Sequence, residues 1–180
     1  SLGCSVSDTV SLTQPLALST ALSSPLNALG NHLNCYLDST AVAASTNNGG
    51  VQPYTYLWSN SSTVDSAAGL GAGTTWLLLT DANGCTASDT ITITQPAPLN
   101  VNATITSNFN GYNISCFGEN DGQANVTATG GNGYYNYLWS NNDNNALALG
   151  LSAATYSVTV TDSLGCSVSD TVSLTQPLAL

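Results

Sequence analysis

The chain contains no lysine and no arginine among its 180 residues. Without a basic face it cannot neutralise phosphates, which excludes a nucleic-acid partner. The same lack excludes electrostatic docking on an anionic membrane surface. Charge of either sign is scarce: charged residues are 6% of the chain and the formal net charge is −10, where ordinary domains carry about 25% charged residues. Disorder driven by high charge is excluded with it. No apolar run reaches the roughly 18 residues that span a bilayer, so no membrane insertion is expected in this segment. No basic stretch followed by an apolar one opens the chain, so no signal peptide is expected within it. A single histidine, with no lysine or arginine, leaves little for acid–base or oxyanion chemistry. No catalytic residue, no cofactor and no enzymatic activity are expected. At ordinary usage about one residue in ten is Lys or Arg. Their absence marks a biased extracellular repeat or a chain whose letters are not a literal gene translation.

What is present is repetition. Residues 1–18 recur without change as residues 163–180, an offset of 162, and half of that, 81, is also a period. Cys35 maps to Cys116, Trp58 to Trp139, and Cys85 to Cys166. Thr13-Gln14-Pro15 recurs as Thr94-Gln95-Pro96 and Thr175-Gln176-Pro177. The period divides the chain into residues 1–18, the end of a truncated preceding repeat, and two full repeats, 19–99 and 100–180. We read the sequence as a window on a longer array.

Hydrophobic residues make up 42% of the chain, enough for a core, and their pattern is that of strands. In the second repeat Thr155 to Thr161 alternates strictly, the mark of a half-buried strand. Residues 101–106, 123–129 and 135–139 read as further strands. Asp162-Ser163-Leu164-Gly165 reads as a hairpin turn. Ser167 to Thr175 is the return strand, with Val168, Val172 and Leu174 as core candidates, and Pro177 ends the ladder. In the truncated repeat the corresponding strand is Ser5 to Thr13. Helical periodicity is absent. Short strands at such spacing predict an all-β chain of tandem sandwiches.

Five cysteines resolve into two per full repeat plus Cys4. The expected pairs are Cys35–Cys85 and Cys116–Cys166, each within one repeat, in an oxidising compartment. Buried free thiols are the alternative. Zinc is disfavoured, because no CxxC pair exists and the one histidine, His32, is replaced by Asn113 in the second repeat.

The run Ile114-Ser115-Cys116-Phe117-Gly118-Glu119-Asn120-Asp121-Gly122 opens a spaced set of motifs. It is followed by Val126 to Gly131, Tyr137-Leu138-Trp139-Ser140, Tyr156 to Asp162, Gly165-Cys166 and Thr175-Gln176-Pro177. Together they resemble the SprB-type repeat of large surface adhesins of gliding bacteria. The resemblance covers nearly all of 100–180. It implies tandem immunoglobulin-like β-sandwiches, export to the extracellular surface, and an adhesive or fibrous role. The first repeat departs from it, with Leu37-Asp38-Ser39-Thr40-Ala41 in place of Gly118 to Gly122.

Trp58 and Trp139 are expected in the cores rather than as ligand platforms. Trp76 and Leu78 take the outward face held by Ser157 and Thr159 in the second repeat, and are expected at an interface. No metal is expected; Glu119 and Asp121, in a glycine-flanked loop, are the weak candidates for Ca²⁺. Asp81 and Asp162 are expected to brace hairpin turns. Asp89 and Asp170 lie in the return strands, facing solvent or a neighbour. The sequons at Asn60, Asn102, Asn113 and Asn125 are read as coincidental. The expected function is that of a structural repeat: a rigid, disulfide-stapled bead in a long extracellular fibre or adhesin stalk. The expected partners are neighbouring repeats of the same array, joined end to end, and identical chains associating laterally. The alternative is a module binding glycan or another surface polymer through its loops. That alternative requires a recurring row of exposed aromatics, and the sequence offers none.

Overall fold

The computed structural model describes residues 3–179. Ser1, Leu2 and Leu180, at the ends of the expected segments 1–18 and 100–180, lie outside the described residues. Among the described residues every regular element is a strand, and no helix is long and apolar enough to cross a membrane. By its contacts the chain divides into two compact units. The first is Ser1–Ser24, Val42–Leu70 and Thr74–Thr92, and the second is Pro25–Ala41, Gly71–Gly73 and Ile93–Leu180.

Most of the first unit is built from β1 (Ser19–Ser23), β2 (Ala41–Asn48), β3 (Thr55–Trp58), β4 (Ser66–Leu70), β5 (Gly73–Thr80) and β6 (Thr86–Ile93). They form two three-stranded sheets, β1-β2-β4 and β3-β5-β6. Ala43, Trp58, Ala67, Leu77 and Leu79 are at most 1% exposed. Along β5 the alternation is clean: Thr75, Leu77 and Leu79 point inward, and Trp76 and Leu78 outward.

The second unit holds β7 (Asn100–Ile105), β8 (Gly122–Thr129), β9 (Asn136–Trp139), β10 (Leu147–Leu151), β11 (Thr155–Thr161) and β12 (Ser167–Ser173). Its sheets are β7-β8-β10 and β9-β11-β12. With β7 to β12 taken as A, B, C, E, F and G, these are the A-B-E and C-F-G sheets of an immunoglobulin-like sandwich lacking strand D. The core is Ile114, Ala124, Val126, Trp139, Ala148, Leu151, Val158, Val160, Val172 and Leu174. Trp139, on the C-like strand, is 1% exposed, and its indole N–H donates to the Asn145 carbonyl at 2.9 Å. Trp58 is likewise 1% exposed and donates to the Val64 carbonyl at 2.8 Å. A buried indole keeps its place only when that N–H finds an acceptor, and here a loop supplies it.

Three sequence expectations need correction. Residues 5–13 form no strand: the segment is exposed, with Val6 at 97% and Leu12 at 93%. In the second unit the equivalent strand, β12, pairs with β11, whereas residues 5–13 make no such pairing. A lone strand has neither ladder nor buried face to stabilise it. Val168 is 39% exposed, unlike Val172 and Leu174 at 7% and 5%. It lies at the hairpin end of an edge strand, beside an open cleft rather than under the facing sheet. Strand β10 escaped sequence reading because its register against β8 shifts between Leu149 and Leu151, a bulge that interrupts the alternation.

The connection into β7 is pinned. Gly131 N–H donates to the Ala97 carbonyl at 3.1 Å. A side chain at Gly130 would collide with the Pro98 carbonyl, and both glycines have positive φ, 77° and 56°. Only glycine admits the preceding segment so close. Gly49 and Gly50 do the same for residues 16–18 in the first unit, where Gly50 N–H donates to the Leu16 carbonyl at 2.8 Å.

Candidate functional site: the disulfide and its braced hairpin

The β11–β12 hairpin turns on one carboxylate. Asp162 is 2% exposed. Its Oδ1 accepts the N–H groups of Leu164 and Cys166, both at 3.0 Å. Its Oδ2 accepts the Asn132 N–H at 2.9 Å and the Asn132 side-chain amide at 2.8 Å. Burial pushes this carboxyl up, but the donors from Cys166, Asn132 and Leu164 together outweigh it and hold it below the ordinary value of 3.8. Asp81 plays the same part in the first unit. It accepts from Val51, Cys85 and Asn83, and the Val51 N–H is the main cause of its lowered pKa. Each turn thus presents a cysteine immediately before the return strand, with its backbone fixed by an ionised aspartate.

Cys166 is bonded to Cys35, with Cα atoms 5.7 Å apart and a sequence separation of 131. Both lie in the second unit. The expected pairs Cys35–Cys85 and Cys116–Cys166 do not form, and Cys4, Cys85 and Cys116 are free and exposed. The reason is strand length. The Ile114 N–H donates to the Thr175 carbonyl at 3.1 Å, so Cys116 lies at the far end of the return strand from Cys166. Nine residues of extended chain from Cys166 to Thr175 span about 30 Å, whereas bonded cysteines have Cα atoms roughly 4–7 Å apart. The two cysteines of one sequence repeat stand at opposite ends of its strands. The sequence spacing of 50 residues was compatible with a disulfide, and it carried no information on which end of a strand each cysteine occupies.

Next to this disulfide the Asn132 side chain donates to the Asn34 carbonyl at 2.7 Å. Its Oδ1 has no partner, because both amide protons are turned onto Asp162 and Asn34. Tyr36, Pro98 and Leu99 line a cleft of about 360 Å³ together with Cys35 and residues 165–168.

The Thr-Gln-Pro motif organises the end of the strands. The Asn113 Oδ1 accepts the Thr175 N–H at 2.9 Å and its hydroxyl at 3.0 Å. Gln176 accepts the Gly118 N–H at 3.0 Å. In the preceding copy of the motif His32 stands for Asn113: its Nδ1 accepts the Thr94 N–H at 3.0 Å, which leaves the ring proton on Nε2. Gln95 accepts the Leu37 N–H at 2.8 Å. Leu37 has a φ of 60°, matching Gly118 at 80°. The one histidine is therefore a backbone acceptor, and the recurrence of Thr-Gln-Pro was the signal for this clamp.

Asp170 and Asp89 perform a task that sequence reasoning missed. The Asp170 Oδ2 accepts the Ala103 N–H at 2.8 Å, from β12 to β7, the edge strands of the two sheets. This donor, followed by the Thr171 N–H, holds the carboxyl below its ordinary value. Asp89 takes the Leu22 N–H at 2.9 Å in the first unit. Each carboxylate laces one open side of a sandwich and occupies an edge donor that would otherwise invite another strand. The signal available was an acid recurring at an inward position of the return strand.

Residues 109–144 match the SprB repeat. This SprB-matched stretch carries the Asn113 clamp, Cys116, β8 and β9 with Trp139. It also carries both weak calcium candidates. The Asp121 Oδ1 accepts the Ser115 N–H at 3.1 Å; Ser115, first through its side chain, lowers the Asp121 pKa. Glu119 donates its own N–H to the Cys116 carbonyl at 3.2 Å. Among the described residues no three of His, Cys, Asp and Glu are grouped as metal ligands. No curated protein matches the chain. Among solved structures it is similar to the C-terminal 282-residue fragment of intimin, solved with the intimin-binding domain of the translocated intimin receptor. The identity is 12% and the TM-score 0.39, over 93% of this chain and 64% of that one. It is also similar to a tetra-tandem repeat in the extending region of a large adhesion protein, at 15% identity and TM-score 0.27, over 89% of this chain and 49% of that one. The chain thus spans less than two thirds of either solved chain.

Proposed function

We propose that the chain is a segment of a long extracellular or cell-surface adhesin-type fibre, in which each sandwich of about 81 residues is one structural bead. The observation that carries this is the Cys35–Cys166 disulfide, which ties residue 35 of one sequence repeat to residue 166 of the next. The SprB match at 109–144 supports it, as do the matching orders β1-β2-β4, β3-β5-β6 and β7-β8-β10, β9-β11-β12. A disulfide suits an oxidising, extracellular setting. The chain's role in this reading is mechanical: the clamps, the aspartate-braced hairpins and the pinned connections all place polar groups where they hold the backbone rigid.

Recombinant chains of two, four and six repeats, examined by small-angle scattering under reducing conditions, test this. The maximum dimension should grow linearly, by about 30–40 Å per repeat, the diameter set by a domain of this size. Growth with the cube root of mass would refute the fibre reading.

A further inference from the structure

We infer that Cys85 and Cys116 are the two halves of a second inter-repeat disulfide, so that every junction of the array is covalently closed, with the loop cysteine of one repeat bonded to the hairpin cysteine of the next. The inference rests on the fibre reading and adds its chemistry.

Cys116 is the counterpart of bonded Cys35, and Cys85 the counterpart of bonded Cys166. Both are free and exposed. Each stands in the setting of its bonded counterpart. The Cys85 N–H is held by Asp81 as the Cys166 N–H is held by Asp162. Cys116 precedes a loop clamped by Gln176, as Cys35 precedes one clamped by Gln95. The cleft beside each loop cysteine repeats as well. Beside Cys116 it is lined by Ser115, Phe117, Pro177, Leu178 and Ala179 and measures about 540 Å³. Beside Cys35 it measures about 360 Å³ and is closed in part by the hairpin residues Gly165 to Val168. The larger cleft is bordered by the equivalent loop and by the residues after the Thr-Gln-Pro motif, with no hairpin among its lining residues. Phe117 and Leu178 line it at 59% and 88% exposure. The occupant that fits is the turn Asp81 to Cys85 of another copy of this chain.

The two hairpins differ at the position that faces the loop. Val51 stands where Asn132 donates across to the Asn34 carbonyl, so the Cys85 hairpin has no side-chain amide to offer there. Bond formation is an oxidation. With a disulfide compound such as oxidised glutathione as oxidant, the Cys116 and Cys85 thiols each lose a proton and the pair gives up two electrons. One S–S bond forms between them, and two glutathione thiols are released.

The test uses two variants of the whole chain, C4S/C85S and C4S/C116S, each with one reactive end. They are mixed at equal concentration with oxidised glutathione and separated on non-reducing gels with peptide mapping. We expect the Cys85–Cys116 heterodimer in about tenfold excess over either homodimer, the ratio set by a docking preference of about 1.4 kcal/mol. The C4S chain alone should give a ladder of head-to-tail oligomers. Statistical mixing, or glutathione capping of both thiols without dimers, overturns the inference. Scattering by the reduced tandem chains is independent of these thiols, so the fibre reading stands or falls separately.

Discussion

Leu37 is the clearest local conflict in the chain. A leucine held at a φ of 60° and 77% exposed gains little from burial and suffers the contact of its Cβ with the backbone. Leu37→Gly should raise stability by about 1 kcal/mol, read as a shift of the urea midpoint with unchanged slope. His32 gives the complementary prediction. His32→Asn should stay within about 0.5 kcal/mol of the parent, because the amide oxygen accepts the same N–H; His32→Ala leaves that exposed donor to water and should cost about 0.5–1 kcal/mol. The aspartates set the acid limb of stability. Asp81, Asp121, Asp162 and Asp170 all have pKa values lowered below 3.8 in the folded chain. They bind protons more weakly folded than unfolded. Their stabilisation is complete above the unfolded value and is lost as pH falls through the lower folded values. Thermal midpoints should therefore hold from neutral pH down to about pH 5 and fall below about pH 4. Asp162→Asn should lower the neutral-pH midpoint and flatten that fall.

At the scale of the strand, β5 and β11 show how one fold tolerates two surfaces. Both bury alternate residues, but the outward positions are Trp76 and Leu78 in one and Ser157 and Thr159 in the other. Leu57 pairs directly with Leu78, and with Trp76 at 42% exposure the outer face of β3 and β5 is apolar. Replacing the pair by the residues of the other repeat, W76S/L78T, should leave the fold and its circular dichroism unchanged. We propose that this patch joins identical chains laterally, so sedimentation should show self-association of the parent that the variant loses. The inward positions behave otherwise. Leu77→Ala at a fully buried site should cost about 2–5 kcal/mol, measured by denaturant unfolding.

For the whole molecule the disulfide is the largest single constraint. It closes 131 residues, and the chain-entropy relation gives such a loop about 5 kcal/mol. Cys35→Ser should lower the thermal midpoint and remove its sensitivity to reductant. The same treatment of Cys85→Ser should leave the single chain's midpoint unchanged, because that thiol is free within it.

Strands with clean alternation, such as Thr155 to Thr161, and the inward places of Val172 and Leu174 were legible in the sequence, because alternation is a local property of the chain; the bulged β10 and the exposed Val168 were not. Trp58, Trp139 and the alternation of Thr155 to Thr161 could be placed from residue type and spacing alone. The resemblance carried by the motifs from Ile114 to Pro177 pointed to a sandwich, and the strand order agrees with that expectation. The partner of each cysteine could not be read this way. The 81-residue period makes Cys35 equivalent to Cys116 and Cys85 to Cys166, and it favoured the pairs within one repeat, Cys35–Cys85 and Cys116–Cys166, which do not form. Only the folded chain rules those pairs out, because an extended strand about 30 Å long separates the cysteines of one repeat. The reach of Asp170 to Ala103 and the substitution of His32 for Asn113 were decided at the same level. Each depends on which backbone donor the tertiary fold brings within about 3 Å, a distance no spacing along the chain encodes.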